Sequence, residues 1–234
     1  MDNEEKLKIN KYPGRGIIIG KSPDSRNLIQ VYWIMGRSQN SRNRVFEEEG
    51  GFVRTRAYDE KKVEDPSLII YYPIKYYNNY HVVTNGDQTD TIIDFLKKGK
   101  SFEEAIETRT FEPDEPNYTP RISGIINADP KGWEYKLSII KSKENNPQKC
   151  IRQFFTFEKG IPGIGHCIHT YKKDGNPLPP FEGEPYTVKL FDDIEKTASY
   201  YWNILNEDNK ISLLVKFIDI NTKKSQIKII NKNK

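Results

Sequence analysis

Short runs of apolar residues, alternating with polar ones, recur towards both ends of the chain and predict β-strands. The first half is predicted to hold strands over 16–20, 27–36 and 51–58, with one or two more between 68 and 84. The second half is predicted to hold strands over 121–127, 133–141, 150–157, 211–220 and 226–230. A strand-rich chain of this kind folds by burying one face of each sheet.

The spacing of apolar positions becomes helical in two places. Residues 90–98 begin at Asp90, a residue type that caps helices, and stop before Gly99. A second short helix is predicted from Ser101, because Ser101 and Glu104 have the spacing of a capping box. A longer amphipathic helix is predicted over 192–206. Strands and helices in this order predict an α+β fold with stacked sheets and helices outside.

Composition narrows the class of protein. The 234 residues, 35% hydrophobic and 30% charged, suit a globular protein with a sizeable core. No linker divides the chain, so we expect a single domain over 1–234 with a Gly/Pro-rich excursion at 160–185. The polar N-terminus and the lack of a long apolar run predict a cytoplasmic protein. The net charge of +4 is spread along the chain, which gives no sign of nucleic-acid binding.

The first polar segment of interest follows the second predicted strand, at residues 36–44. It is dense in donors, namely Arg37, Ser38, Ser41, Arg42, Asn43 and Arg44. Arginine forks match phosphate oxygens, and hydroxyl and loop N–H groups can complete such a cradle. The same composition also suits a solvated surface loop, so both interpretations stay open on these residues alone.

Two further segments combine polar residues with turn chemistry. Residues 83–91 lead into a helix N-terminus that could face an anion, although Thr89 or Asp90 could simply cap that helix. Residues 111–121 carry Glu112, Asp114 and Glu115 in a proline-stiffened loop, which could hold a general acid or base. An ordinary acidic surface loop is the alternative.

Other familiar chemistry is missing from the sequence. We find no phosphate-binding loop, no dinucleotide fingerprint and no defensible Ser-His-Asp order. His166 and His169 are three residues apart, so on a strand they would face opposite sides and would not share a metal. Cys150 and Cys167 fit no metal or disulfide spacing and are expected to be reduced thiols.

Taken together, the polar segments resemble the archaeal-type IMP cyclohydrolase family. The matching residues keep their order over about residues 12–127 and lie at 12–20, 36–38, 43–44, 70–71, 84–92, 111–114 and 119–122. Beyond Asn127 the chain departs from that pattern, and the segment 160–185 looks like an insert of a bacterial-type branch. Several short motifs in one order are more specific than any one of them.

The resemblance implies a four-layer αββα sandwich like that of the N-terminal-nucleophile hydrolases, without their N-terminal nucleophile. The implied reaction closes 5-formamidoimidazole-4-carboxamide ribonucleotide to inosine-5′-monophosphate (IMP) with loss of water, a step of purine biosynthesis. It needs no metal and no organic cofactor. The implied partner is a small purine ribonucleotide, not nucleic acid or a membrane. The sequence does not determine the oligomeric state, so a homo-oligomer stays open.

The resemblance also implies roles for individual residues. Arg44 would contact the substrate, Tyr71 would donate a hydrogen bond to the formyl oxygen, and Glu112 would move the proton, with Asp114 as the second choice of carboxylate. Tyr71 could instead only pack within its strand. The residues implied in substrate binding are Arg37, Ser38, Asn43, Asn85, Asp90, Thr119 and Arg121.

Two alternative functions compete with this one. The chain could be a cyclase or amide hydrolase acting on a related ribonucleotide, with the 160–185 segment reshaping the pocket. It could also be a purine-nucleotide-binding protein without turnover. The presence of Tyr71 and Glu112 beside the arginines favours an enzyme, because a binder needs only the phosphate and base contacts.

Overall fold

The computed structural model describes residues 2–63, 66, 68–144 and 146–233. Its strands form two antiparallel sheets, and short helices lie between some of the strands along the sequence. The predicted α+β class is therefore confirmed. No helix within the described part of the chain is long and apolar enough to cross a membrane.

The first sheet has six strands and joins residues from the two ends of the chain. In spatial order they are β11 (Tyr186–Lys189), β10 (Ile164–His169), β1 (Gly16–Lys21), β2 (Asn27–Met35), β12 (Lys210–Asp219) and β13 (Ser225–Asn231). In β1 and β2, pairing Gly16 with Trp33 brings the start of β1 beside the end of β2. The loops at this edge carry part of the candidate site.

The second sheet has seven strands that follow one another in the chain. They are β3 (Arg44–Glu49), β4 (Phe52–Ala57), β5 (Ile74–Tyr77), β6 (Tyr80–Thr84), β7 (Arg121–Asn127), β8 (Tyr135–Lys143) and β9 (Asn146–Phe157). Sequential antiparallel neighbours need only short connections, and the longest excursion, from β6 to β7, holds two helices.

The helices of the described residues are short. They are α1 (Asn3–Ile9), α2 (Gln39–Arg42), α3 (Gln88–Lys97), α4 (Phe102–Glu107) and α5 (Ile194–Ile204), with a 3₁₀ turn at Glu60–Lys62. The Ser101–Glu104 capping box that starts α4 is present as predicted. Gly99, at φ +71°, follows α3 in the left-handed conformation that glycine tolerates at a helix end.

Three apolar clusters show how the elements pack. The first combines Ile17 and Tyr32 of one sheet with Val83 and Leu137 of the other, so it lies between the sheets. The second joins the other face of the six-stranded sheet to α1 and α5, and the third joins the other face of the seven-stranded sheet to α3 and α4. Each sheet is therefore covered on both faces.

Several elements were not predicted from the sequence, and each has a weak apolar signal. Residues 36–44 were predicted as a loop, but they contain α2, and Arg44 begins β3, an edge strand whose outer half is acidic. Strand β10 lies inside the Gly/Pro-rich segment and carries glycine and histidine in place of the usual branched residues, and β11 beside it is only four residues long. Helix α1 buries only Glu4 and Leu7, too little for an amphipathic pattern.

The start of α3 corrects a further expectation. Neither Thr89 nor Asp90 caps this helix, because the helix begins at Gln88 with Asp87 as its N-cap residue. Asp87 makes no capping hydrogen bond and instead pairs with Arg109 and Arg121. Both cysteines are free thiols, as predicted, with Cys167 buried and Cys150 half-buried.

Candidate functional site

A cavity of about 330 Å³ opens where five segments meet. The segments are residues 12–15 before β1, residues 35–44 from the end of β2 to the start of β3, residues 68–69 before β5, residues 112–119 before β7, and residues 171–178 after β10. Its charged lining consists of three arginines and two carboxylates, namely Arg15, Arg37, Arg44, Glu112 and Asp114. The sequence had predicted four of these five residues.

The segment after β2 folds into a tight turn because its small residues allow it. Ser38 caps α2, and its side chain accepts a hydrogen bond from the Ser41 N–H at 3.1 Å. The Ser41 hydroxyl donates to the Ser38 carbonyl at 2.9 Å. A Cβ on Gly36 would lie 2.3 Å from the Ser41 hydroxyl oxygen, so only glycine fits there. The turn therefore places Ser38 and Ser41 in the cavity wall.

Arg44 is the least compensated charge in this wall. Its side chain is almost wholly buried, and its Nε donates to the Ser41 carbonyl at 2.7 Å. Its Nη1 is buried without a hydrogen-bond partner, and no described carboxylate pairs with the guanidinium. A buried cation without an anion is costly, which makes Arg44 a strong candidate for binding an anionic ligand.

Arg37 lies at the more exposed side of the same segment. Its Nη1 donates to the Asp174 carboxylate at 2.7 Å and to the Gly175 carbonyl at 3.1 Å. The guanidinium carbon lies 4.9 Å from the centre of the Tyr12 ring, within cation–π distance. Arg37 is therefore held in place, but its partner is an exposed carboxylate that an incoming anion could replace.

Glu112 forms a buried ion pair with Arg15. The Arg15 Nη2 atom lies 2.9 Å from the Glu112 carboxylate, and their side chains are only 11% and 3% exposed. Burial raises the pKa of Glu112; Arg15 and Arg121 act in the opposite direction, and Asp114 adds to the rise. A carboxyl with a raised pKa that is still held by one arginine suits proton transfer near neutral pH.

The loop that carries Glu112 is closed by Asp114 and Thr119. The Glu112 N–H donates to the Thr119 carbonyl at 2.9 Å, and the Thr119 N–H donates to Asp114 at 2.6 Å. The Thr119 hydroxyl donates to the same Asp114 carboxylate, so the Tyr171 hydroxyl, 2.5 Å away, donates to Thr119. Both carboxylate oxygens of Asp114 therefore accept hydrogen bonds that hold this loop in place.

Tyr71 lies behind the cavity wall. Its hydroxyl shares a 2.7 Å hydrogen bond with the hydroxyl of Tyr32, and both rings are buried. Thr55 fixes the Tyr71 backbone, because its hydroxyl accepts from the Tyr71 N–H at 2.8 Å. Arg15 and Arg44 oppose the rise that burial causes in the pKa of Tyr32.

Four of the predicted binding residues do not line the cavity. The Asn43 amide bonds to the Asp59 backbone, and the Asn85 amide bonds to Pro120 and Ile122. Asp90 pairs with Lys75 at 2.5 Å, and Arg121 pairs with Asp87 at 2.7 Å. These contacts hold the four residues in the surrounding fold and leave them outside the cavity lining. The structure brings together Arg37, Ser38, Arg44, Glu112, Asp114 and Thr119.

Sequence reasoning missed several residues of the wall, chiefly Arg15 and Tyr171. Arg15 had a local signal, since it lies between Gly14 and Gly16. Gly14 has φ +75°, and a Cβ there would lie 2.1 Å from the Thr170 hydroxyl oxygen, so the chain passes against β10 at this point. Tyr171 had no such signal, because it belongs to the Gly/Pro-rich segment.

The two histidines of β10 are not placed to share a metal ion. His166 and His169 both lie on β10 with odd spacing and therefore face opposite sides, as predicted. His166 packs on Phe157 at 4.0 Å between ring centres, and His169 packs on Phe181 at 4.7 Å. No group of three His, Cys, Asp or Glu residues in the described ranges has a geometry that could hold a metal ion.

Comparison with known proteins gives a consistent family. A model of the IMP cyclohydrolase-like protein family matches residues 12–224. An IMP cyclohydrolase of Methanopyrus kandleri is 37% identical over 170 residues, which are 68% of this chain and 75% of the relative. One of Methanothrix thermoacetophila is 30% identical over 170 residues, 70% of this chain and 76% of the relative. An IMP cyclohydrolase of Methanosphaera stadtmanae is 32% identical over 127 residues, which are 52% of this chain and 61% of the relative. The family match extends well beyond residue 127 and includes the whole of 160–185.

Proposed function

Because this chain belongs to the family of IMP cyclohydrolase-like proteins, we propose that it is an enzyme of purine biosynthesis, an IMP cyclohydrolase. It closes 5-formamidoimidazole-4-carboxamide ribonucleotide to IMP and releases water. The family predicted from the sequence is confirmed by the match over residues 12–224. The observation that carries the proposed activity is one cavity holding a buried, uncompensated Arg44 and a buried Glu112 of raised pKa.

The reaction sets modest demands on the protein. The attacking carboxamide nitrogen and the formyl carbon belong to one molecule, so the substrate itself brings the reacting groups together. The protein has to hold the 5′-phosphate, orient the two amides, and move protons. The cavity offers cations and hydroxyls for the first task and a carboxyl group for the last.

The phosphate is bound by the segment between β2 and β3. Arg44 supplies the buried charge, since its Nη1 has no partner in the described part of the chain. The Ser38 and Ser41 side chains lie beside it in the wall, and Arg37 adds a second cation at the exposed side. A phosphate dianion in this position would give Arg44 the counter-ion that the protein does not supply.

Glu112 moves the proton. As the carboxamide nitrogen attacks the formyl carbon, Glu112 accepts a proton from that nitrogen and passes it to the formyl oxygen, which becomes a hydroxyl. Glu112 then accepts the proton of the formamide nitrogen and gives it to the hydroxyl, which leaves as water as the C–O bond breaks and the C=N bond forms. Arg15, at 2.9 Å, orients the carboxylate. The predicted hydrogen bond from Tyr71 to the developing oxyanion requires its hydroxyl to turn away from Tyr32, because Tyr71 lies behind the cavity wall.

The remaining predicted residues have supporting roles in this scheme. Asp114 and Thr119 hold the Glu112 loop, as their mutual hydrogen bonds indicate. Asn43, Asn85, Asp90 and Arg121 stabilise neighbouring turns and strand ends, and they influence the substrate through those segments. Among them Arg121 has a direct electrostatic effect, because its charge helps to keep Glu112 ionised.

We also propose that the two sheets and their outer helices form the four-layer αββα sandwich of N-terminal-nucleophile hydrolases. The three apolar clusters support this layering. The whole chain, 1–234, would be one domain of the cytoplasm. Segment 160–185, predicted as an insert, contributes β10 and Tyr171 to that domain.

The test is ring-closure turnover, followed by ultraviolet absorbance as IMP forms. Glu112→Gln should lower kcat about 1000-fold, because it removes a proton-transferring group, while IMP binding measured by calorimetry stays close to wild type. Glu115→Gln is the matched control, since Glu115 lies three residues away in the same loop but is exposed. Its kcat should be unchanged.

Two outcomes would contradict the proposal in different ways. Full turnover of Glu112→Gln would remove Glu112 from the mechanism without touching the activity. Tight IMP binding by the wild-type protein without any turnover would instead favour a nucleotide-binding protein or a cyclase for a related ribonucleotide.

A further inference from the structure

A second cavity, of about 230 Å³, lies on the outer side of the six-stranded sheet. It is enclosed by α1, the end of β10, the start of β11 and residues 172–182. The residues that decide its chemistry are Lys6, Leu7, His169, Lys172, Phe181 and Tyr186. None of these six residues lines the first cavity, of about 330 Å³, which is called the nucleotide cavity from here on. The proposed reaction therefore assigns no role to this second cavity.

The inner wall of this second cavity is aromatic. The His169 ring meets Phe181 edge-on, with 4.7 Å between ring centres and 84° between planes, and meets Tyr186 at 5.7 Å and 68°. Leu7 of α1 closes the apolar side. Walls of this kind favour a flat ring, since aromatic rings gain from stacked and edge-on contacts beyond the area they bury.

His169 adds a hydrogen-bond acceptor to this apolar wall. Its Nδ1 lies 2.9 Å from the Tyr171 carbonyl oxygen, which can only accept, so Nδ1 carries the proton. Burial lowers the pKa of His169 to about 4, and the ring is therefore neutral. Its Nε2 consequently has a free lone pair, and no group in the described residues donates to it. The residue is 6% exposed, and Nε2 is not one of the fully buried atoms, so this unmet acceptor is open to a donor that enters the cavity.

The rim of the cavity is cationic. Lys6 on α1 has only a long 3.4 Å contact with the Asn3 side chain. Lys172 pairs with Glu182 at 2.7 Å, but both side chains are more than half exposed, so an entering anion can compete for the lysine. The cavity therefore combines an acceptor inside with positive charge at its mouth.

We propose that this cavity binds a small aromatic acid, a one- or two-ring compound with an O–H or N–H donor on the ring and an anionic group opposite. The donor would meet His169 Nε2, the ring would lie among Phe181, Tyr186 and Leu7, and the anion would face Lys6 and Lys172. Because His169 also bonds the Tyr171 carbonyl, the occupant would be linked to the wall of the nucleotide cavity.

The experiment uses three matched probes on the full chain, with IMP at saturation, measured by calorimetry at low salt. The probe 4-hydroxybenzoate has both groups, benzoate lacks the donor, and 4-hydroxybenzamide lacks the charge. We expect 4-hydroxybenzoate to bind about tenfold more tightly than benzoate and about fivefold more tightly than 4-hydroxybenzamide. Equal affinities for the three probes, or no binding at all, would overturn the proposal.

Variants locate the site independently of the enzyme's activity. His169→Phe keeps an aromatic ring but removes the acceptor. This variant should bind 4-hydroxybenzoate and benzoate with about equal affinity. The double variant Lys6→Met with Lys172→Met should abolish the preference over 4-hydroxybenzamide. Lys196→Met is the control, since that lysine covers Phe191 elsewhere on the surface. Displacement of the probe by IMP, or wild-type preferences in all variants, would place it in another cavity and refute the assignment.

Discussion

The two charged parts of the nucleotide cavity are built in opposite ways. In the segment between β2 and β3, Arg44 is buried with Nη1 unpaired and no described carboxylate beside it. In the loop before β7, Glu112 is buried against Arg15 at 2.9 Å. A buried charge without a partner is expensive, whereas a paired one is largely compensated within the protein. The first arrangement fits the proposed binding of an anionic ligand, and the second fits the proposed role of Glu112 in proton transfer.

The largest expected effect comes from removing the uncompensated cation. Arg44→Met should raise KM for the phosphorylated substrate about 100-fold, close to 3 kcal/mol, since a buried charge contact with the phosphate is lost. The fall in kcat should be smaller, because Arg44 does not transfer the proton. Steady-state kinetics of ring closure measure both quantities.

The control for Arg44 is a substrate without its phosphate. If Arg44 binds the phosphate, the dephosphorylated ribonucleoside should be a poor substrate of the wild-type enzyme and hardly poorer for Arg44→Met. An equal further loss with the ribonucleoside would mean that Arg44 acts on the ring or on the fold. Thermal unfolding of the variant distinguishes these two, because only a role in the fold lowers the midpoint temperature.

The sequence predicted the uncompensated part of the cavity better than the compensated part. Arg37, Ser38 and Arg44 lie within eight consecutive residues, so their common location followed from the chain order alone. The partner of Glu112, in contrast, is Arg15, which lies 97 residues away. That contact depends on β1 and on the loop before β7 meeting across the fold, which local patterns do not encode.

The same distinction holds for the fold. Strands with continuous apolar residues, such as β2 and β12, were predicted close to their observed bounds. The short strand β10 was not, because Gly165, His166 and His169 fit there only through contacts with β1 and β11. Tyr171 was missed for this reason: its position in the cavity wall is set by Thr170 bonding back to Arg15 and Pro13.

A second prediction removes the internal compensation. Arg15 opposes the rise that burial causes in the pKa of Glu112, so Arg15→Met should raise that pKa further. Because catalysis needs the ionised carboxylate, the acidic limb of the kcat profile should move to higher pH. At neutral pH we also expect kcat about 30-fold lower, since the carboxylate loses its orienting partner. A pH series of ring-closure rates measures both effects.

Arg15→Lys is the matched variant, because it keeps the positive charge but not the planar fork. Its acidic limb should stay near that of the wild type while kcat falls.

The contribution of Glu112 to folding stability changes with pH in the direction opposite to that of the activity. A carboxyl whose folded pKa is raised contributes stability that is fully present below its unfolded pKa and is lost as pH rises through the folded pKa. An unchanged acidic limb in Arg15→Met would show that another group governs the profile.

The smallest expected effect concerns the one cation of the binding segment that is compensated. Arg37 donates to Asp174 at 2.7 Å, but both side chains are exposed by more than a third, so this pair is weak. If Arg37 binds the substrate phosphate as proposed, Asp174 competes with that phosphate, and Asp174→Asn should lower KM about threefold. Glu182→Gln is the control, since Glu182 is another exposed acid of the same loop and pairs with Lys172. A lower KM in both variants would indicate a general gain of positive charge, and a higher KM in Asp174→Asn would mean that Asp174 instead holds Arg37 in its binding position.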